Sequence, residues 1–291
     1  MPDIISQGHS LCAGCGVGIA LNLIGKAAPK NVIVSMATSC LEVCTTVYPK
    51  TAFNVPVIHA AFETSSAVAS GIEAAVSKLG KDWKVMAIAG DGGTVDIGLQ
   101  ALSGMLERGH RVTQIMVNNE AYMNTGIQRS GATPYGAWTT TSPPGRLTVG
   151  KEQWRKPIEE IVAAHRIPYV ATASVAYPPD LIAKVKKAFE RQPSFLDIHC
   201  PCPTGWKFDV SKTVDVAKKA VDTGMWVLYE IEDGQFRITK RIPQRKPVEE
   251  YLQSQGRFKH LKEAAISDIQ KHIDSEWERL EKLAARDAKQ E

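Results

Sequence analysis

The chain has 291 residues, 44% of them hydrophobic and 23% charged, with a formal net charge of +4. That length suits one large α/β unit with an appendage, and so small a charge excess argues against both a nucleic-acid and a membrane-surface partner. It contains no run of about 18 apolar residues, and residues 1–7 lack a basic region leading into an apolar one, so a cytoplasmic protein is expected.

In chain order, residues 8–16 form a glycine-rich loop carrying Cys12 and Cys15 in a C-x-x-C pattern, and a helix is predicted over 17–28. A strand over 31–36 ends in Thr38-Ser39-Cys40, and an extended segment over 55–59 ends at His59 and leads into a small-residue helix over 65–78. The apolar run 83–89 reads as a buried parallel strand. It ends in Gly90-Asp91-Gly92-Gly93, where glycines permit a tight turn and let backbone N–H groups approach an anion. A helix over 97–109, closed by Gly109 at its C′ position, precedes a second apolar strand over 112–117 ending in Asn118-Asn119.

A strand, a crossover helix and a parallel strand bring both carboxyl ends side by side, where open α/β sheets bind ligands. Asp91 and Asn119 can then offer two oxygens to one hard cation such as Mg²⁺, which favours oxygen donors and shares them with phosphate. The implied chemistry is a diphosphate held through a metal ion. Beyond it, residues 125–150 form a long loop without periodicity, of the kind that is usually functional or disordered. Helices over 158–164 and 178–191 and strands over 169–172 and 195–199 follow, and the last strand runs into Cys200-Pro201-Cys202-Pro203-Thr204-Gly205. From about residue 246 the chain is charged, with an apolar stripe that marks an amphipathic helical arm. Two regions result: 1–245, the α/β unit, and 246–291, the arm.

The Gly90-Asp91-Gly92 turn followed by Asn119 resembles the thiamine-diphosphate motif of thiamine-dependent enzymes. Residues 90–128, with Glu120-Ala121-Tyr122-Met123-Asn124-Thr125-Gly126, more specifically resemble the β subunit of 2-oxoacid:ferredoxin oxidoreductases of the pyruvate type, and the likeness runs along nearly the whole chain. It implies a thiamine-diphosphate-binding α/β fold with a mostly parallel sheet flanked by helices. It also implies that Asp91, Asn119 and the Ala121 carbonyl bind Mg²⁺, that Gly90, Gly92 and Gly93 line the diphosphate, and that Asn124 faces the reacting carbon. Thr38 and Cys40 would approach the thiazolium ring, with His59, and His9 beside it, as diphosphate or pyrimidine neighbours.

Six cysteines stand at 12, 15, 40, 44, 200 and 202, and in a cytosolic chain such cysteines more often bind metal than form disulfides. Four thiolates can hold either a [4Fe–4S] cluster or a structural zinc ion. The resemblance implies the cluster, on Cys12, Cys15, Cys40 and Cys202, with Cys200 as the alternative fourth ligand and Cys44 as a buried bystander. It implies CoA-dependent oxidative decarboxylation of pyruvate, with a branched-chain 2-oxoacid or oxalate as alternative substrates. Partners would be a pyrimidine-side α subunit, a γ subunit, a ferredoxin-like δ subunit and ferredoxin as electron carrier. A non-redox thiamine decarboxylase or carboligase stapled by zinc, and a non-catalytic metal-stabilised scaffold, are the competing readings.

Overall fold

The structure is a computed structural model and describes residues 4–288. In chain order it contains α1 (Gly16–Ala27), β1 (Val32–Ala37), α2 (Cys40–Thr45), β2 (Val57–Ala60), α3 (Ser65–Lys78), β3 (Lys84–Gly90), α4 (Leu99–Glu107), β4 (Val112–Asn118) and α5 (Ile158–Ala163). There follow β5 (Tyr169–Ser174), α6 (Pro178–Glu190), β6 (Ser194–His199), α7 (Pro203–Trp206), α8 (Thr213–Asp222), β7 (Tyr229–Glu232), β8 (Gln235–Ile238), α9 (Glu249–Leu252) and α10 (Glu263–Asp287).

The eight strands form one sheet in the order β2-β1-β3-β4-β6-β5-β7-β8. The first six are parallel, and β7 and β8 add an antiparallel edge. Parallel strands covered on both faces should be apolar throughout rather than alternating, and β4 is buried at every position. Its neighbour β3 shares its side chains between the two faces. Met86 and Ile88 enter a core with α1 and α6, while Val85 and Ala87 enter a core beneath α3, α4 and α5. The expected helices and parallel strands are present with boundaries shifted by a few residues, and Gly109 closes α4 at a φ of +67°.

A third core has no counterpart in the sequence reading. It gathers α8, β7, β8, α9 and α10 around Trp206, Trp226, Tyr251 and Trp277. The C-terminal helix packs along this chain's own sheet edge. Its buried residues Ala265, Ile269, Ile273, Trp277, Leu280 and Ala284 recur every three or four positions, one face of a helix. Asp287 accepts a hydrogen bond from the Phe236 N–H at 2.9 Å, and Trp277 Nε1 donates to the Gly224 carbonyl at 3.2 Å. Among the described residues no helix is long and apolar enough to cross a membrane.

Trp277→Ala should therefore lower the free energy of unfolding by about 3–5 kcal/mol, the range for a large core aromatic. Urea denaturation of the full chain measures it, and a loss below about 1 kcal/mol would mean that the helix is a detachable arm.

Candidate functional site

The sheet order reverses between β1 and β3: the chain leaves β1 for β2 on one side and returns to β3 on the other. Loops leaving such a pair part from one another and open a crevice at the carboxyl ends. The residues following β1 are Thr38, Ser39 and Cys40, and the residue following β3 is Asp91. A Cβ added to Gly90 would lie 4.0 Å from the Ser39 Cβ, so the two strand ends adjoin. Asn119 follows β4 and Cys200 follows β6, and because all four strands are parallel these residues share one edge of the sheet.

Asp91 is only 1% exposed. Its Oδ2 accepts a hydrogen bond from the Ser130 hydroxyl at 2.5 Å. Burial, partly opposed by the Ser130 hydrogen bond, pushes its carboxyl up to about 7. A carboxylate so deeply buried carries a charge that a cation would compensate. One terminal atom of the Asn119 amide lies 3.2 Å from Asp91 Oδ1 and 2.9 Å from the Ala121 carbonyl oxygen. With the amide nitrogen in that position it donates to both. With the amide oxygen there, three oxygens face one another.

The turn that brings Asn119 and Ala121 together is reversed at Glu120, whose φ is +63°. Glu120 points inward. Its Oε2 accepts a 2.6 Å bond from an Arg257 Nη, and both side chains are almost fully buried. The Arg257 guanidinium lies over the Trp206 ring, 3.7 Å from its centroid. Trp206 Nε1 donates to the Asn119 carbonyl at 2.9 Å, and Thr133 Oγ1 donates to the Glu120 carbonyl at 2.6 Å. Across the crevice a helical turn with i→i+5 bonding spans Gly92–Asp96. Tyr122 Oη donates to Asp96 at 3.0 Å, and Lys156 and the Gly131 N–H also bond Asp96. Gly92 permits this closure, since a Cβ there would stand 2.4 Å from the Tyr122 ring. Gly93 lies against Phe62, and Gly90 is open.

The cysteines divide into two environments. Cys12 is exposed, and Cys15, Cys40 and Cys202 are half-buried. Burial and the neighbouring thiols Cys202, Cys15, Cys44 and Cys12 push Cys40 up to about 12. Burial likewise raises Cys15 and Cys202, with Cys12 among the thiols that repel each. The C-x-x-C loop is seated on the segment after β6: the Gly16 N–H donates to the Pro201 carbonyl at 3.1 Å, and a Cβ on Gly16 would lie 2.6 Å from that oxygen. Cys200 turns the other way, into the apolar core, where its thiol donates to the Ile198 carbonyl at 3.1 Å. Cys44, expected to be buried, is half-exposed and lies in the field of Cys15 and Cys40, because α2 shows that part of its surface to the cysteine loop. No three of the described His, Cys, Asp and Glu side chains stand close enough to share a single metal ion.

Thr38 Oγ1 lies 2.7 Å from His59 Nε2, and His59 Nδ1 lies 3.3 Å from the buried Glu42 carboxylate. Those two expected site residues are thus brought together at the β1–β2 side of the crevice. Asn124 sits in the exposed turn after Tyr122, with no hydrogen bond from its side chain among the described residues. The sequence reading did not single out Ser130, Asp96, Trp206 or Arg257. Nothing in their local pattern separates them from ordinary loop residues, and their roles exist only through contacts across up to 137 positions of chain.

Comparison with known proteins agrees with this geometry. The model of the thiamine pyrophosphate enzyme C-terminal TPP-binding domain matches residues 33–198. The pyruvate synthase subunit PorB of Methanothermobacter thermautotrophicus is 54% identical over 280 residues, covering 96% of this chain and 97% of that one. The ketoisovalerate oxidoreductase subunit VorB of Pyrococcus furiosus is 48% identical over 286 residues, covering 95% and 92%. A solved 2-oxoglutarate:ferredoxin oxidoreductase from Magnetococcus marinus, with 2-oxoglutarate, coenzyme A and succinyl-CoA bound, superposes with a TM-score of 0.59 at 18% identity over 74% of this chain and 79% of that one, a likeness of fold. A thiamine-diphosphate-binding domain, a strand-end crevice with Asp91 facing Asn119, and relatives at about half identity along almost the entire length agree: the chain belongs to the family of 2-oxoacid:ferredoxin oxidoreductase β subunits.

Proposed function

We propose that this β subunit acts on pyruvate, holds thiamine diphosphate through Mg²⁺ on Asp91, Asn119 and Ala121, and carries a [4Fe–4S] cluster on Cys12, Cys15, Cys40 and Cys202. The observation that carries the reading is the meeting of Asp91 Oδ1, the Asn119 amide and the Ala121 carbonyl at separations of 2.9 and 3.2 Å. Octahedral Mg²⁺ with oxygens at about 2.0–2.1 Å sets adjacent ligands about 2.9 Å apart. The residues therefore fit the ion.

Four thiolates suit either a cluster or a zinc ion. The cluster is preferred because zinc has no redox chemistry and the relatives are named as an oxidoreductase subunit and a pyruvate synthase subunit. Cys15 repels both Cys200 and Cys202, but Cys12 is among the groups that act on Cys202, and Cys200 is fully buried with its thiol on the Ile198 carbonyl.

When bound, thiamine diphosphate supplies the electron sink for decarboxylation of a 2-oxoacid, and the cluster accepts electrons singly. The chain's own residues bind and orient. Thr38 and His59 form a polar pair at the β1 side of the crevice, and exposed Asn124 is free to meet the substrate carboxylate or carbonyl. One wall of the crevice is left to partners, which we assign as the α subunit, with γ and δ subunits, ferredoxin and coenzyme A completing the reaction. Pyruvate is preferred because the PorB relatives reach 54% identity while the VorB relatives stand at 48–49%, although the PorB and VorB chains of Pyrococcus furiosus differ only as 49% and 48%, and a branched-chain 2-oxoacid is the competing substrate. In the anaerobically purified complex, turnover with pyruvate should exceed that with 2-oxoisovalerate, and the reverse preference would reassign the substrate.

Asp91→Ala should abolish Mg²⁺–thiamine diphosphate binding by calorimetry, and near-native affinity would reject the assignment. Arg257→Gln leaves the Glu120 carboxylate buried without its partner, a change that costs about 3–5 kcal/mol. It should weaken Mg²⁺–thiamine diphosphate binding at least tenfold, and recovery in the Glu120→Gln/Arg257→Gln pair would identify the ion pair as the cause.

Iron and acid-labile sulfide measured on anaerobic protein test the cysteines. Cys202→Ser should lose them, while Cys200→Ser and Cys44→Ser keep them; loss confined to Cys200→Ser would reassign the fourth ligand.

A further inference from the structure

A cavity of about 460 Å³ lies on the far side of Glu120 from the crevice, between α5, the 224–229 segment and α10. Its size falls in the range of small-molecule sites. Trp226, Tyr229, Ile269, Ile273 and Leu280 give it apolar walls. At its rim Trp154 is sandwiched between Tyr135, 4.5 Å away centroid to centroid, and His272, 3.8 Å away. Arg279 bonds Glu160, joining α10 to α5 beside that stack.

The polar groups of the cavity are unevenly satisfied. Each of its carboxylates already has an arginine: Glu120 has Arg257, Glu159 has Arg155, and Glu160 and Glu276 share Arg279. Arg155 has only one nitrogen so engaged. The same Nη2 that bonds Glu159 lies 3.9 Å from Asp197 Oδ2, and the guanidinium carbon lies 4.6 Å from the centroid of the Trp226 ring. Its Nε and Nη1 make no hydrogen bond to any described residue, and 30% of the side chain is accessible where it lines the cavity. Behind Trp226, the buried His199 makes no hydrogen bond at either ring nitrogen, its Nε2 standing 3.9 Å from Glu120 Oε1. Donors without an acceptor, such as Arg155 Nε and Nη1, cost free energy that a ligand or water recovers.

We propose that this cavity binds a small organic monocarboxylate, its apolar or aromatic body between the tryptophan and isoleucine walls and its carboxylate on Arg155 Nε and Nη1. A purely apolar guest would leave the guanidinium donors unmet. A dianion would meet a single guanidinium with Glu159 and Asp197 already beside it. A planar carboxylate matches the two-donor edge of the guanidinium. The site is separate from the crevice and does not depend on the thiamine reading. An occupant touching Glu120 would stand one residue from both Asn119 and Ala121, which gives the cavity a route to the metal turn.

Phenylacetate titrated calorimetrically into the full-length chain tests the proposal, with phenylacetamide as the uncharged counterpart. The wild-type chain should bind phenylacetate saturably, and phenylacetamide at least tenfold more weakly. Arg155→Gln should weaken phenylacetate binding about tenfold to a hundredfold, the loss expected for hydrogen bonds to a charged group. Ile269→Phe, which fills the cavity and leaves the Arg155–Glu159 pair intact, should also lose binding, so the result stands even where the arginine variant does not fold. Asp91→Ala should bind phenylacetate as the wild type does. The proposal is overturned if the wild type shows no saturable binding, if Ile269→Phe binds normally, if amide and acid bind alike, or if Asp91→Ala removes binding and so places the ligand in the crevice.

Discussion

The reversal of the chain at Glu120 is the constraint on which the site depends. A left-handed backbone costs an L-residue about 1–2 kcal/mol, and here it turns the side chain of the middle residue inward while its two neighbours face Asp91. The inward carboxylate meets Arg257, and hydrogen bonds from Thr133 and Trp206 hold the carbonyls on either side. A charge-assisted hydrogen bond to a buried partner contributes about 1.5–3 kcal/mol, enough to offset the backbone cost. The turn is thus strained locally and secured by Thr133 from the loop that follows it and by Trp206 and Arg257 from the C-terminal third of the chain.

This gives the third core a role beyond stability. Trp206 and Arg257 reach the Asn119–Ala121 turn from α7 and from the segment between α9 and α10, and both belong to the layer built by α8, β7, β8 and α10. The parallel sheet places Asp91 and Asn119 at adjacent strand ends, which any doubly wound fold could do. The added layer sets the angle of Asn119 and Ala121 against Asp91. Position comes from the sheet, and orientation comes from the layer beside it.

Much of the sheet was legible in the sequence because buried parallel strands are written as short apolar runs between helical periods and glycine turns. The runs at 83–89 and 112–117 lie close to β3 and β4, and Asp91 and Asn119 stand at their ends. Strand direction places Cys40 and the Cys200–Cys202 segment at one edge, whereas the set of Cys12, Cys15, Cys40 and Cys202 was legible only through the family resemblance. The antiparallel pair β7–β8 was not legible, since each strand has four residues and alternates without a long apolar run. Arg257 and Arg155 were hidden for another reason. A buried guanidinium is recognisable only through its distant partners, and in the sequence it is one basic residue among 35.

The seating of the first loop on the last parallel strand also bears on how the chain comes to be folded. Gly16 bonds Pro201, and Thr213 Oγ1 donates to the Gly14 carbonyl across 199 positions. In the same way α1 buries Leu21 and Ile24 in a core completed by Leu181 and Val185 of α6. During synthesis the amphipathic first helix therefore emerges well before the surface that covers it, and waits through more than half of the chain with its apolar stripe uncovered. Contacts of such long span slow folding and prolong exposure to wrong partners. That exposure is a burden imposed by topology and separate from the finished protein's stability.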